Sequence, residues 1–166
     1  MIKNKGFTLI EVIIYIALFS IIITGAFVTA YNLFESTDRL ETKSYIQNEG
    51  NFVMKKIEWA LSGVSSTTSD VISPSTSYPY PVSGTLNIKK YYLGEKINVK
   101  IQYDTTNKRI LFSEKGSTLS PITTDNVKVT KLEFQYIPNS GSSPFGITAN
   151  MTINGKDFTV TKYLRK

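Results

Sequence analysis

Glu11 is the residue of this chain whose chemistry most needs an explanation. Lys3 and Lys5 precede it, and no charged residue occurs between Val12 and Phe34. A helix of about 20 apolar residues spans a hydrocarbon core of roughly 30 Å, so the sequence predicts a membrane-spanning helix that begins beside a carboxylate. An ionised carboxylate at mid-depth costs on the order of 2.5–3.5 kcal/mol. Glu11 is therefore a candidate functional residue, and its charge needs a partner.

The apolar run has a plainer interpretation as a secretory signal peptide. Signal peptides combine a basic region with an apolar stretch of about 7–15 residues and a small-residue cleavage site after it. Here the run is longer and continues through Ala30-Tyr31-Asn32 without such a site. The small residue that suits cleavage, Gly6, lies before the run. A signal peptide or a plain signal anchor therefore leaves Gly6 and Glu11 unexplained.

The segment Gly6-Phe7-Thr8-Leu9-Ile10-Glu11-Val12 resembles the cleavage and methylation motif of type IV pilins and of the pseudopilins of type II secretion systems. This motif combines a glycine, an aromatic residue, a glutamate four residues after the aromatic one, and an uninterrupted apolar helix. The close likeness extends from Lys3 to Tyr31.

The resemblance implies a processing step and a set of partners. A membrane-embedded prepilin peptidase would cut between Gly6 and Phe7 and methylate the new amino group of Phe7. In a helical filament, Glu11 would pair with the charged amino terminus of a neighbouring subunit. The implied partners are the peptidase, other pilin or pseudopilin subunits and an inner-membrane assembly platform. The implied location is the cytoplasmic membrane, with one span and the globular domain outside the cytoplasm, and later a cell-surface or periplasmic filament.

Physical chemistry supports the same role for Glu11. A cation freed at Phe7 within the membrane boundary is costly unless it is paired, and the start of a helix favours a nearby anion. Glu11 would neutralise its own amine weakly, or a neighbour's amine when two helices pack with an axial offset. The plainer alternative is a glutamate that simply lies at headgroup level.

Composition excludes several other classes of protein. The chain has 166 residues, of which 41% are hydrophobic, so we expect one globular domain beyond the anchor. It has no cysteine and no histidine, which excludes disulfides, thiol catalysis and Cys-based zinc sites and removes the usual general base. No pair of carboxylates has a spacing that indicates acid–base partnership. We therefore expect no catalytic residues, no cofactor and no metal site.

The chain divides into five expected segments within an α+β fold, in which a long N-terminal helix packs on a C-terminal antiparallel sheet. They are a leader at 1–6, a transmembrane and filament-core helix at 7–34, an amphipathic helix at 35–64, a Ser/Thr/Pro-rich linker at 65–84, and a sheet domain at 85–166. Alternation from Ile97 to Tyr103 predicts a half-buried strand. A slip in alternation between Thr130 and Lys131 predicts a bulge, and Asn154-Gly155 predicts a type I′ hairpin turn.

The second half of the helix presents two apolar stripes. One stripe should lie against the sheet and consists of Ile46, Val53, Ile57, Ala60, Leu61 and Val64. The other consists of Tyr45, Phe52 and Trp59, spaced seven apart, which is typical of a helix–helix seam. We expect this aromatic stripe to pack against other helices in a filament. The alternative is that the globular domain wraps far enough around the helix to bury both stripes.

Two finer functional questions remain open in the sequence. From Ser66 onward basic residues outnumber acidic ones, and Lys89-Lys90-Tyr91-Tyr92 and Lys108-Arg109 suit an anionic polymer. The alternative function is thus a DNA- or surface-binding subunit of a DNA-uptake or adhesion pilus, whereas the plainer interpretation is that these lysines protect strand edges. The segment 47–61 and the C-terminal strand order also resemble J- or W-type minor subunits.

Overall fold

The α+β arrangement is confirmed by a computed structural model, which describes residues 6, 8–64, 70–75, 81–140 and 144–164. Helix α1 runs from Leu9 to Leu61. The strands that follow in the described part of the chain are β1 (Val71–Ser73), β2 (Thr85–Tyr92), β3 (Glu95–Asp104), β4 (Arg109–Glu114), β5 (Ser120–Pro121), β6 (Val129–Ile137), β7 (Gly146–Ile153) and β8 (Lys156–Tyr163). The chain separates into two compact units, residues 1–43 and 44–166.

The strands of the second unit form two antiparallel sheets rather than one. The first sheet has the order β1-β2-β3-β4-β5 and the second has the order β6-β7-β8. Within each sheet, strands that are consecutive in the chain pair with one another, which is the pattern of consecutive hairpins. A backbone bridge between Ser83 and Phe134 joins the two sheets, with hydrogen bonds in both directions.

The core of the second unit lies between the helix and the two sheets. Val53, Ile57 and Ala60 are fully buried on the helix, as the first stripe predicts, and Ile46 packs partly buried at its start. The inward residues of the strands complete the core: Leu86, Ile88, Ile97, Val99, Ile101, Ile110, Val129, Leu132, Phe134, Ile147, Ala149, Met151 and Ile153. Their alternation follows from the period of two in a strand with one buried face.

Local irregularities follow turn and bulge chemistry. The pairing of β6 with β7 shifts register between Val129 and Lys131, which confirms the predicted bulge. Asn154 and Gly155 both have positive φ, of 46° and 80°, as a type I′ turn requires. Leu93 and Gly94 adopt nearly the same conformation between β2 and β3, with φ of 50° and 83°. The turn at Leu93 lacks the asparagine or aspartate that would predict it from sequence.

Strand β1 lies inside the segment expected to be a linker. Val71 is buried and pairs with Ile88 of β2. Just before it, the buried Asp70 accepts a 2.5 Å contact from the Lys96 ammonium, and this hydrogen bond raises the pKa of Lys96. The rest of the linker prediction at 65–69 and 76–80 lies outside the described residues.

Candidate processing and assembly site

The predicted cleavage junction lies before the first turn of α1. Gly6 is exposed and α1 begins at Leu9. Phe7, on the other side of the junction, lies outside the described residues. A Cβ atom added to Gly6 would meet nothing within 4 Å. Among the described residues, packing therefore does not require a glycine at this position.

Thr8 caps the start of the helix. The Glu11 N–H donates to the Thr8 carbonyl oxygen at 3.1 Å and also lies 3.4 Å from the Thr8 hydroxyl oxygen. A threonine with a glutamate three residues later is the spacing of a capping box. The sequence analysis missed this signal, although Thr8-Leu9-Ile10-Glu11 carries it openly. The helix start is thus stabilised through the backbone N–H of Glu11, which leaves its carboxylate available for other contacts.

The Glu11 carboxylate lies in the first turn of α1 and is half-buried. Its Oε1 accepts a hydrogen bond from the Tyr15 hydroxyl, one turn further along, at 3.3 Å. The unpaired amide groups of a helix N-terminus attract an anion at this place. The site therefore combines a carboxylate, a phenol that restrains one of its oxygens, and a favourable helix end, which suits the binding of a small cation such as an amine.

The helix after Glu11 has the properties of a membrane span. Within α1 an 18-residue window reaches a mean hydropathy of 2.5, and none of that window is buried in the structure. Its hydroxyl groups are satisfied internally, because Ser20, Thr24 and Thr29 each donate to the carbonyl oxygen four residues earlier, at 2.7–2.9 Å. The exposed surface of this segment is consequently almost entirely apolar and requires lipid or other helices to cover it.

Residues 1–27 match the family described as the prokaryotic N-terminal methylation motif. The N-terminal segment is a prepilin-type methylation motif. This finding supports the type IV pilin and pseudopilin family, as the resemblance at Gly6, Phe7 and Glu11 predicts. No curated protein and no solved structure matches the chain.

The aromatic stripe on α1 is divided between two environments. Tyr45 and Phe52 are exposed, at 47% and 52%. Trp59 instead packs partly buried against the core, with its ring centroid 5.7 Å from that of Tyr92 and 6.1 Å from that of Phe112. The globular unit therefore covers the C-terminal member of the stripe and leaves the two N-terminal members at the surface.

Lys90, which lies on strand β2, caps the C-terminal end of α1. It is 2% exposed, its ammonium donates to the Trp59 carbonyl oxygen, and it lies 3.8 Å from the centroid of the Trp59 ring. The last turn of α1 has no basic residue of its own, and a cation is favourable there. Burial lowers the pKa of Lys90. From sequence alone this residue resembles its exposed neighbour Lys89.

The burial of Lys90 bears directly on the alternative of nucleic-acid binding. In the first basic pair, Lys89-Lys90, Lys90 is buried and hydrogen-bonded to the end of the helix. In the other pair, Arg109 lies 3.4 Å from the Asp125 carboxylate. Lys89 and Lys108 remain exposed. Of the four basic residues in these two segments, Lys90 and Arg109 are thus engaged in contacts within the domain.

Proposed function

We propose that this chain is a structural, minor-type subunit of a type IV pilus or type II secretion-type filament, processed by a prepilin peptidase and assembled through α1. One observation carries the proposal. Glu11 lies at the capped start of an exposed apolar helix, five residues after an exposed glycine on which an added Cβ atom meets no described atom within 4 Å. An ordinary membrane anchor requires neither residue.

Processing would turn this end of the chain into a complementary pair of charges. Hydrolysis of the Gly6–Phe7 peptide bond frees the amino group of Phe7, which is cationic because α-amino groups have pKa values of about 7.7–8.0. Methylation of this amine keeps its charge. The Glu11 carboxylate of an adjacent subunit is the natural anion, since both groups would otherwise be uncompensated within lipid.

The pair would also set the axial offset between neighbouring subunits. A purely apolar helix surface can slide, because its packing energy changes little with small displacements. Removal of one member of a buried ion pair costs about 3–5 kcal/mol. A single stagger that brings Phe7 of one subunit to Glu11 of the next is therefore favoured over all others.

The exposed part of the aromatic stripe supports contacts between subunits further along the helix. Tyr45 and Phe52 lie two turns apart on α1 and present apolar area at the surface. We assign them to packing against neighbouring helices. Trp59, which was grouped with them by spacing, is assigned instead to the contact of its own helix with the sheet.

Orientation and subtype rest on sequence. Lys3 and Lys5 lie before the apolar segment, and basic residues that flank a span favour the cytoplasmic side. This charge distribution supports a globular unit outside the cytoplasm. The likeness of 47–61 to J- or W-type subunits supports a minor role. The presence of Glu11 argues against a subunit that can only cap a filament.

The proposal is tested by the mass of the mature chain. The full-length protein is expressed in cells with and without an active prepilin peptidase, and its N-terminus is analysed by mass spectrometry. We expect an N-methylated Phe7 only where the peptidase is active. Recovery of assembled filaments whose subunits still begin at Met1 would refute the proposal.

A further inference from the structure

Tyr15 places a hydroxyl group inside the apolar half of α1. It lies four residues after Glu11, within the uncharged run that continues to Phe34. Four residues of helix rise about 6 Å, so the ring starts deeper in the span than the carboxylate does. A phenol without an acceptor is costly in an apolar environment, and so is a carboxylate without a donor or a cation. Tyr15 therefore needs a polar partner, as Glu11 does.

Shorter hydroxyl side chains of the same segment meet this need with the helix backbone. Ser20, Thr24 and Thr29 donate to carbonyl oxygens four residues earlier. The ring of a tyrosine holds its hydroxyl too far from its own helix backbone for this bond. The Tyr15 hydroxyl instead donates to Oε1 of Glu11, at 3.3 Å. Its acceptor is thus the only charged residue between Leu9 and Phe34.

Helix geometry makes this contact directional. Long side chains on a helix point back toward its N-terminus, so a residue covers the turn before its own Cα. Residues four apart also lie on one face of the helix. Tyr15 therefore reaches back to Glu11 and holds the carboxylate toward the face that the two residues share. The bond uses Oε1, and the second oxygen of the same carboxylate can accept from a cation.

We propose that Tyr15 is a positioning residue for the contact between subunits. It holds the Glu11 carboxylate in one orientation while the subunit is unassembled, and presents the second carboxylate oxygen to the amino terminus of another copy of this chain. A side chain that is already ordered loses less conformational freedom when its partner binds. The inference rests on the proposed function and adds a residue to the same site.

The variant Tyr15→Phe tests the role because it removes the hydroxyl and keeps the ring. Tagged full-length variant and parent chains are expressed together, and their ratio in purified filaments is measured by mass spectrometry. A hydrogen bond to a charged group corresponds to about a tenfold change in an equilibrium, so we expect about tenfold lower incorporation with normal cleavage. The matched control is Tyr31→Phe, in the same helix, where the residue four positions earlier is Phe27. It should incorporate as the parent does.

A double variant separates positioning from a general role of the ring. Tyrosine also favours membrane interfaces, and loss of such an anchor would reduce incorporation whatever residue occupies position 11. If Tyr15 acts through Glu11, Tyr15→Phe should cause no further loss in a Glu11→Ala background. The NMR signal of the Glu11 carboxyl carbon, assigned by its absence in Glu11→Ala, should also shift in Tyr15→Phe and not in Tyr31→Phe. Equal losses in both backgrounds, or an unchanged carboxyl signal, would overturn the positioning role.

The outcomes distinguish this inference from the proposed function. Normal incorporation of Tyr15→Phe together with poor incorporation of Glu11→Ala would overturn the role of Tyr15 alone. Loss of cleavage in Tyr15→Phe would assign the hydroxyl to recognition by the peptidase and would also overturn it. A parent chain that is not processed, or a Glu11→Ala variant that incorporates normally, would overturn the proposed function and this inference with it.

Discussion

Gly50 of α1 lies against Phe158 of β8, and its replacement by alanine tests this contact. A Cβ atom built on Gly50 lies 2.2, 2.3 and 2.6 Å from three ring atoms of Phe158. Ordinary van der Waals contact begins near 3.4 Å, so the ring or the helix must move by more than about 1 Å. Phe158 is 8% exposed and packs in the core, so the surrounding side chains resist that movement.

Two effects of Gly50→Ala oppose each other. Alanine favours the helix over glycine by about 1 kcal/mol, whereas overpacking of a core costs about 1–3 kcal/mol. Because the clash involves three atoms at once, we expect overpacking to dominate, with a net loss of up to about 2 kcal/mol and a fall in melting temperature of up to roughly 10 °C.

The assay uses the fluorescence of Trp59, which is the only tryptophan of the chain and packs at the contact of helix and sheet. Thermal unfolding of the full chain in detergent therefore reports the globular unit. Asn51→Ala, an adjacent exposed position, is the matched control and should change stability little. The double variant Gly50→Ala with Phe158→Leu should recover part of the loss, because the two sites are in contact. A melting temperature for Gly50→Ala equal to or above that of the parent chain would show that the helix does not approach β8 as described.

The remaining predictions concern processing, assembly and pH. Gly6→Ala should remain uncleaved although its added methyl group meets no described atom within 4 Å. Mass spectrometry checks this, and normal cleavage would show that the glycine is not part of the recognition site. Glu11→Ala should be cleaved but incorporated into filaments about a hundredfold less well, whereas loss of Glu35, whose pair with Arg39 is exposed, should have little effect; equal incorporation of both variants would contradict the pairing. Hydrogen bonds from Asn107, then from Thr106, lower the pKa of Asp104, so its contribution to stability is present above the unfolded value near 3.8 and is lost as pH falls through the folded value. Asp104→Asn should therefore lower unfolding stability at neutral pH and match the parent at the lowest pH, as measured by denaturant titration; a difference that persists in acid would rule this out.

Much of the fold could be predicted because its signals are local. Alternation from Ile97 to Tyr103 depends only on which strand face is buried, and Asn154-Gly155 depends only on backbone conformation. The slip at Thr130 likewise appears in the sequence as a break in period. The structure confirms each of these predictions. They could be made from sequence because none of them depends on a residue far away in the chain.

The features that could not be predicted depend on contacts between distant segments. Lys90 appears in sequence as one of two adjacent lysines, and only the position of Trp59, 31 residues earlier, makes it a buried cap for the helix. Trp59 has the same spacing as Tyr45 and Phe52, but only Trp59 packs against strand residues, namely Tyr92 and Phe112. The sequence does not show where along the helix these contacts begin. The Leu93 turn was missed because its residue type contradicts its conformation.

At the candidate site, the sequence was informative where a fixed spacing carries the chemistry. Glu11 and Gly6 were identified from their order around the apolar helix. The cap from Thr8 is also encoded locally, since a threonine three residues before a glutamate has the spacing of a capping box. The hydrogen bond from Tyr15 needed coordinates, since tyrosine at one turn's distance has several possible rotamers.

The hydrogen bonds between strand β2 and the C-terminal end of α1 have a mechanical consequence. If the chain is drawn out of a bilayer by its anchor, as the proposed function requires, the pulling force passes from α1 into the strands. The Lys90 ammonium donates a hydrogen bond to the Trp59 carbonyl oxygen, and the Tyr91 N–H donates one to the Gly63 carbonyl oxygen at 3.1 Å. Both donor residues belong to β2, which is an inner strand of its sheet. Traction on the anchor is thereby shared among several strands, so the domain would travel with its helix rather than be stripped from it.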